Sequence, residues 1–302
     1  MLIAIGILLL VLVTLLCVGY FYGSRHFVVR EQIIQFEELP DAFDGYRICQ
    51  FSDFHAFAFH CGHEKDVQKV VELINAQHCD LIVFTGDLVT IQAKELDGFM
   101  DQLSRLSAPD GVVSIMGNHD YAMYHRRLTK AQRRADIKDL YRRQRDMGWT
   151  LLLNENITIC RGNDSLVVIG VENDGTPPHF PRFADMKKAM RGVDPHSFQV
   201  MLSHDPTHWH RTIIPETDIH LTLSGHTHAG QFKLFGWSPV KSVYGEWTGL
   251  YDNVKERTDG QPLRQYLHIS EGVGCVPIPF RVGAWPEICV ITLRKSSSDN
   301  RH

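Results

Sequence analysis

The sequence predicts an α/β fold, sheets covered by helices, behind a transmembrane helix at the N-terminus. Two observations predict the fold. Short apolar runs alternate with longer polar or helical stretches, which is βαβ rhythm. Five of these runs end on an Asp, Asn or His, and open α/β sheets gather their ligands at such strand ends. A third observation predicts the anchor. Residues 2–24 carry no charged side chain, and a spanning helix needs roughly 20 apolar residues.

The apolar run closes on Tyr20, Phe21 and Tyr22, an aromatic interface belt. A cleaved signal peptide would need a basic start and a small-residue cleavage site, and neither is visible. The segment 1–24 therefore reads as a retained single-pass anchor in the cell membrane. Arg25 and Arg30 follow it and nothing basic precedes it. The positive-inside rule then places the globular part, residues 25–295, in the cytoplasm. Residues 27–36 read as extended, and Leu39-Pro40-Asp41 as a turn. Residues 46–51 read as a strand ending at Ser52-Asp53. Around 64–77, Val67, Val70, Val71 and Ile74 recur on one helical face. The runs 81–85, 112–116, 198–202 and 219–223 read as strands. They end at Gly86-Asp87, Gly117-Asn118-His119-Asp120, Ser203-His204 and Ser224-Gly225-His226. Residues 296–302 read as a disordered tail.

Composition narrows the function. The chain has 302 residues, 44% hydrophobic, with a formal charge of −4. That excludes global disorder and a nucleic-acid-binding polycation, so no nucleic-acid partner is expected. Seven cysteines are too few for a disulfide scaffold. Seventeen histidines are unusual, and their positions explain several of them. The strand ends carry Asp53, His55, Asp87, Asn118, His204, His226 and His228. These are oxygen and imidazole donors without thiolate, a set that suits Mn²⁺, Fe²⁺ or Zn²⁺. Seven ligands are too many for one tetrahedral ion. They suit two ions sharing a carboxylate, the clamp used for in-line displacement at phosphorus. The spacings Asp53-x-His55 and His226-x-His228 put paired donors on one side of an extended loop.

The motifs Ser-Asp53-Phe-His55, Gly86-Asp87, Gly117-Asn118-His119-Asp120, Ser203-His204 and Gly225-His226-Thr-His228 occur together and in order. On them the sequence resembles the calcineurin-like metallophosphoesterases, over roughly residues 32–293. The ending Gly272-Val-Gly274 through Pro286-Glu287-Ile288 resembles their bacterial membrane-tethered branch. The resemblance implies a four-layer αββα sandwich and two divalent ions, Mn²⁺ foremost. It implies that Asp53, His55 and His228 hold the first ion, that Asn118, His204 and His226 hold the second, and that Asp87 bridges them. A metal-bridging hydroxide is then the nucleophile. His119 would act on the phosphoryl or leaving oxygen without being a ligand, and Asp120 would orient it or hold it protonated. Within the branch, phospholipid phosphoesterases and UDP-2,3-diacylglucosamine hydrolases, which cleave a pyrophosphate bond, are the obvious classes. The anchor adds the bilayer as a partner and favours a lipid-linked phosphate substrate. An exported general phosphodiesterase and an inactive anchored binding module are the alternatives.

Three further stretches stand out. Residues 121–150 carry nine basic and three acidic side chains, leaving the rest of the chain at −10. Ile137, Leu140, Tyr141 and Gln144 follow helical spacing within it. It reads either as a basic cap that receives the substrate or as a solvated helix. The loop 55–63 adds His60, Cys61 and His63, which could hold an extra metal. Trp237, Trp247 and Trp285 read as core packing.

Overall fold

The computed structural model describes residues 2–60, 62–176, 180–257 and 260–296. Two six-stranded sheets lie face to face. The first has the order β1 (Val28–Phe36), β12 (Glu287–Lys295), β2 (Arg47–Phe51), β3 (Leu81–Phe84), β4 (Val112–Ser114) and β5 (Thr150–Leu151). The second has the order β10 (Gly249–Glu256), β11 (Pro262–Ile269), β9 (Leu221–Ser224), β8 (Phe198–Leu202), β7 (Asp164–Gly170) and β6 (Glu155–Arg161). The β2-β3-β4 run is parallel, as the βαβ rhythm predicts. The closing strand β12 is the long-range element. It returns from the far end of the chain and pairs with β1 in parallel and with β2 antiparallel.

Strand periodicity explains the layers. Leu81 and Val83 of β3 face the second sheet, where they meet Leu166, Val168, Val200 and Leu223. Their neighbours Ile82 and Phe84 face the other way, toward Val67, Val70, Val71 and Ile74 of the helix Glu64–Asn75. Alternate residues of a strand point to opposite faces, so strands buried on both faces read as continuous apolar runs. Each fully buried aliphatic on that helix contributes roughly 1.5–3 kcal/mol, which fixes the helix to the sheet. On the outer face of the second sheet, Val167, Ile169, Met201 and Ile269 pack against Trp209 and Ile213. The result is the helix–sheet–sheet–helix sandwich that the resemblance implies.

The apolar helix Leu2–Cys17 continues through short irregular turns to Arg25 and is long and apolar enough to cross a membrane. It buries no side chain of its own. Its end does dock on the globular part, where Gly19, Gly23 and Ser24 are buried. Of the tail, only Ser296 lies within the described residues; its N–H pairs with Phe36 O.

The basic stretch forms the helix Lys130–Asp146, started by a reciprocal Thr129–Gln132 capping box. Leu140 and Gln144 are buried beneath it. Arg142 bonds Asp139 and Asp146, and Arg143 bonds Asp139 and Asp97. Among the described residues these pairs are local, so part of the sequence's charge excess is matched on or beside the helix itself. The tryptophans divide. Trp247 packs with Ala229 and Ala284, and Trp285 meets Tyr22 and His26 edge-on. Trp237 does not pack as expected: it is 55% exposed.

Candidate active site

The seven donors converge where strands of both sheets end. β2 leads into Asp53 and His55, β3 into Asp87, and β4 into Asn118. From the facing sheet, β8 leads into His204, and β9 into His226 and His228. The candidate ligand atoms of Asp53, His55 and His228 lie within 4.8 Å of one another, and so do those of Asp87, His204 and His226. Asn118 joins the second group through Oδ1, 3.2 Å from His204 Nε2.

The backbone is forced into this arrangement. Asp53, His55, Asp87, His226 and His228 all have left-handed φ, at 52°, 46°, 61°, 76° and 50°. Such conformations cost of order 1–3 kcal/mol each outside glycine, and they cluster at functional sites. The neighbouring glycines permit close approach. A Cβ on Gly225 would lie 2.3 Å from Asp53 Oδ2, and one on Gly117 would lie 2.2 Å from Asp87 Oδ1.

The electrostatics fit a cation. Asp53 and Asp87 are buried, and among the described residues their ion-pair partners are imidazoles alone. Burial pushes the Asp53 carboxyl up, but His228 beside it wins and holds it below the usual carboxylate range. Asp87 follows the same balance, with His204 and His119 prevailing over burial. At His204, burial acts downward, yet Asp87 pushes the imidazole up to about 10. His204 Nδ1–H is spent on Thr85 O at 2.8 Å, so Nε2 turns toward Asp87 Oδ2 at 3.1 Å and Asn118 Oδ1 at 3.2 Å. Two oxygens and an imidazole nitrogen thus face one another, a cluster that a proton or a divalent cation must satisfy.

Several roles differ from the sequence reading. Asp120 does not contact the His119 ring. Its carboxylate accepts the backbone N–H groups of Asp87, Leu88, Val89 and Gly117 at 2.8–3.0 Å. It therefore holds together the two loops that carry Asp87 and Asn118. The ring of His119 is oriented by Thr90 O instead, 2.7 Å from Nδ1. His119 also falls within a group with His55 and Asp87, closer to the ligands than expected. The extra metal site is not formed by the two histidines described: His60 bonds Glu95 O, and His63 bonds Asp66. Cys61 lies outside the described residues.

Sequence reasoning missed four neighbours. Tyr124 Oη accepts from Asn118 Nδ2 at 2.8 Å, which turns Asn118 Oδ1 toward His204. Tyr244 Oη lies 2.8 Å from His226 Nε2, and Asp205 Oδ2 lies 3.7 Å from it. Arg281 is fully buried and reaches His228 Nδ1 at 3.1 Å. Tyr124 follows His119 closely in the chain and could have been flagged. Asp205 directly follows His204 and could have been flagged as well, whereas Tyr244 and Arg281 arrive from distant segments with no motif of their own.

Buried carboxylates ion-paired with imidazoles, at the strand ends of two stacked sheets, fit a metal-dependent hydrolase of phosphoesters. Residues 46–230 match the calcineurin-like phosphoesterases, and the chain belongs to that family. The family implies two divalent ions at this site. The chain is 29% identical over 292 residues to the uncharacterized metallophosphoesterase YkuE of Bacillus subtilis, covering 92% of this chain and 91% of that one. It is 28% identical over 269 residues to a transmembrane protein with metallophosphoesterase domain of Danio rerio, covering 87% of this chain and 56% of that one. Among solved structures, a dimetal phosphatase from Danio rerio is similar over 76% of this chain and 88% of its own, with 11% identity and a TM-score of 0.41.

Proposed function

We propose that this chain is a membrane-anchored phosphoesterase. It uses two divalent ions, Mn²⁺ foremost, to hydrolyse a phosphoester or pyrophosphate bond of a lipid-linked substrate on the cytoplasmic face. One observation carries the lipid assignment. Arg281 donates its backbone N–H to Gly19 O at the end of the apolar helix, 3.0 Å away. The same residue's guanidinium reaches His228. A single arginine thus ties the anchor to an imidazole of the site. Headgroup layers are about 5–8 Å thick on each side of a bilayer, so a lipid phosphate is within reach. A relative named as a transmembrane protein supports the same reading.

Asp53, His55 and His228 would hold one ion; Asn118, His204 and His226 the other; Asp87 both. Bound there, the ions would make a water molecule acidic near pH 7 and clamp the phosphoryl oxygens. The chain's own groups do the positioning. Thr85 O and Tyr124 Oη set the directions of His204 and Asn118. Asp120 fixes the Asp87 loop through its amides. Thr90 O takes the Nδ1–H of His119. That leaves Nε2 to stabilise a phosphoryl oxygen or to protonate the leaving oxygen.

The test uses full-length protein in detergent with Mn²⁺. UDP-2,3-diacylglucosamine, a diacyl phospholipid and a small aryl phosphodiester are compared, with Asp87→Ala as control. Asp87-dependent cleavage of either lipid substrate in preference to the aryl diester supports the proposal. Cleavage of the aryl diester alone removes the lipid assignment and favours a general phosphodiesterase.

A further inference from the structure

The segment Leu234-Phe235-Gly236-Trp237 forms a two-residue hairpin, with Leu234 and Trp237 exchanging both N–H···O bonds at 2.9 Å. Its central residues have φ of 51° and 76°. Turns of this kind prefer Asn-Gly or Asp-Gly, because both positions need positive φ. Here the first position is Phe235, a bulky residue for which positive φ is a genuine outlier. Phe235 is also fully exposed, at 106% relative accessibility, beside the half-exposed Trp237. Backbone strain and exposed aromatic surface therefore coincide at one tip. Among the described residues nothing covers the Phe235 ring, and Trp237 is covered only in part.

The position of the hairpin suggests what offsets them. Its base is Lys233, whose N–H bonds Val282 O at 2.7 Å. The preceding residue, Arg281, bonds Gly19 O of the apolar helix. Around this join, Gly19 sits against the Phe280 ring and Gly23 against Arg281 O, so tightly that a Cβ at either would clash. Three backbone runs are therefore adjacent: the anchor's end, the 278–282 segment and the hairpin. At about 5 Å per chain spacing, the hairpin base lies roughly 10 Å from the anchor. The anchor's end at that level presents Tyr20, Phe21 and Tyr22, and the middle run presents Ile278; all are exposed. Tryptophan and tyrosine favour this depth in a bilayer because their rings are apolar with a polar handle.

We infer that the Leu234–Trp237 hairpin is a second membrane contact, its tip inserting Phe235 and Trp237 into the interface of the bilayer that holds the anchor. The inference rests on reading Leu2–Arg25 as a membrane span. Two separated contacts would fix tilt as well as height. The loop between the donors His226 and His228 and this hairpin is short, so the second sheet's side of the site would be held at the lipid surface. A substrate would then enter sideways from the leaflet.

The experiment is spin-label accessibility on the full chain in phospholipid vesicles. One version is labelled at native Cys17, with Cys61 and Cys160 replaced by Ser. The other carries Phe235→Cys, with Cys17, Cys61 and Cys160 replaced by Ser. The inference expects both labels to collide with lipid-soluble oxygen more than with an aqueous nickel chelate, position 235 at the shallower depth. A water-exposed label at 235 with a lipid-exposed label at Cys17 overturns the hairpin contact and keeps the anchor. A water-exposed label at Cys17 overturns the anchor, and the inference with it. Spin–spin broadening at 235, shielded from both reagents, overturns it in favour of a second copy of the chain on this surface. As a functional arm, Phe235→Ser/Trp237→Ser should lower turnover of a vesicle-borne lipid substrate several-fold and leave the soluble aryl diester unaffected. Equal loss on both substrates overturns the inference.

Discussion

Two regions of this molecule are rich in ionisable groups, and they behave in opposite ways. At the strand ends, seven donors converge, nearly all of them buried, and among the described residues the ion-pair partners of the carboxylates are imidazoles. On the helix Lys130–Asp146 the charges lie mostly at the surface, and Arg142 and Arg143 are matched by Asp139, Asp146 and Asp97. The difference is burial. Charges in a low-dielectric pocket cannot be screened, so they demand a cation, a proton or each other. Charges in water settle for weak, local pairs. The sequence displays both regions with equal prominence, and only the fold separates them.

The comparison breaks first at Asp87. If it serves both ions, Asp87→Ala should lower activity by well over the ~100-fold typical of losing an outer partner of a metal site. Circular dichroism should show an intact fold. Substantial Mn²⁺-supported activity in that variant would remove the bridging role. His119 gives the next largest effect. His119→Asn should cost about 10²–10⁴ in kcat, the range for a general acid or base, with metal content unchanged. Because His119 lies within a donor group with His55 and Asp87, metal analysis decides its role: a lost ion in the variant would make it a ligand.

Much of the site was legible because its information is local. Asp53 and His55, or His226 and His228, are two residues apart and follow a strand, and Gly225 directly precedes His226. The left-handed φ values at these positions are what such short motifs have to encode. What was illegible depends on distance along the chain. Arg281 meets a residue 53 positions away, and nothing around it marks a ligand partner. Strand β12 enters the first sheet between β1 and β2 through the pairing Val28↔Glu287, which no local periodicity announces. Asp120 was placed in the right loop with the wrong partner, because a carboxylate's choice between an adjacent ring and four backbone amides is made by loop geometry. The hairpin tip was read as packing at Trp237, since an aromatic residue alone does not declare which side of the surface it occupies.

Buried imidazoles away from the site sharpen the comparison through pH. Burial pushes His268 down to about 4, and burial with the nearby Arg257 pushes His220 down to about 3. Both folded values lie below the unfolded value of about 6.5. The stability they protect is therefore present above pH 6.5 and is lost as pH falls toward 4, where the unfolded chain takes up protons that the fold refuses. Each should cost about 2 kcal/mol between pH 7 and pH 5. Thermal melts of metal-free protein should show this slope, and His268→Gln should make it shallower, the share of His220 remaining. An unchanged slope would mean that His268 is not held neutral by the fold.

The smallest effect is expected on the basic helix, and it tests the other side of the comparison. Arg142 is exposed, and its partners Asp139 and Asp146 lie one turn away on the same helix. Exposed pairs of this kind contribute little, because water and salt screen them. Arg142→Ala should shift the unfolding midpoint barely if at all, and any shift should shrink in high salt. The same substitution combined with Arg143→Ala separates a solvated helix from a substrate cap. If the helix is only solvated, Michaelis constants for a lipid substrate and for a small aryl phosphodiester should stay unchanged together. A rise confined to the lipid substrate would show that these arginines meet the substrate, and the contrast between buried and exposed charge would no longer divide this molecule into function and surface. The local ion pairs argue against that outcome. An arginine already engaged by two carboxylates has much of its positive field neutralised, so it attracts a phosphate less strongly than an unpaired arginine would.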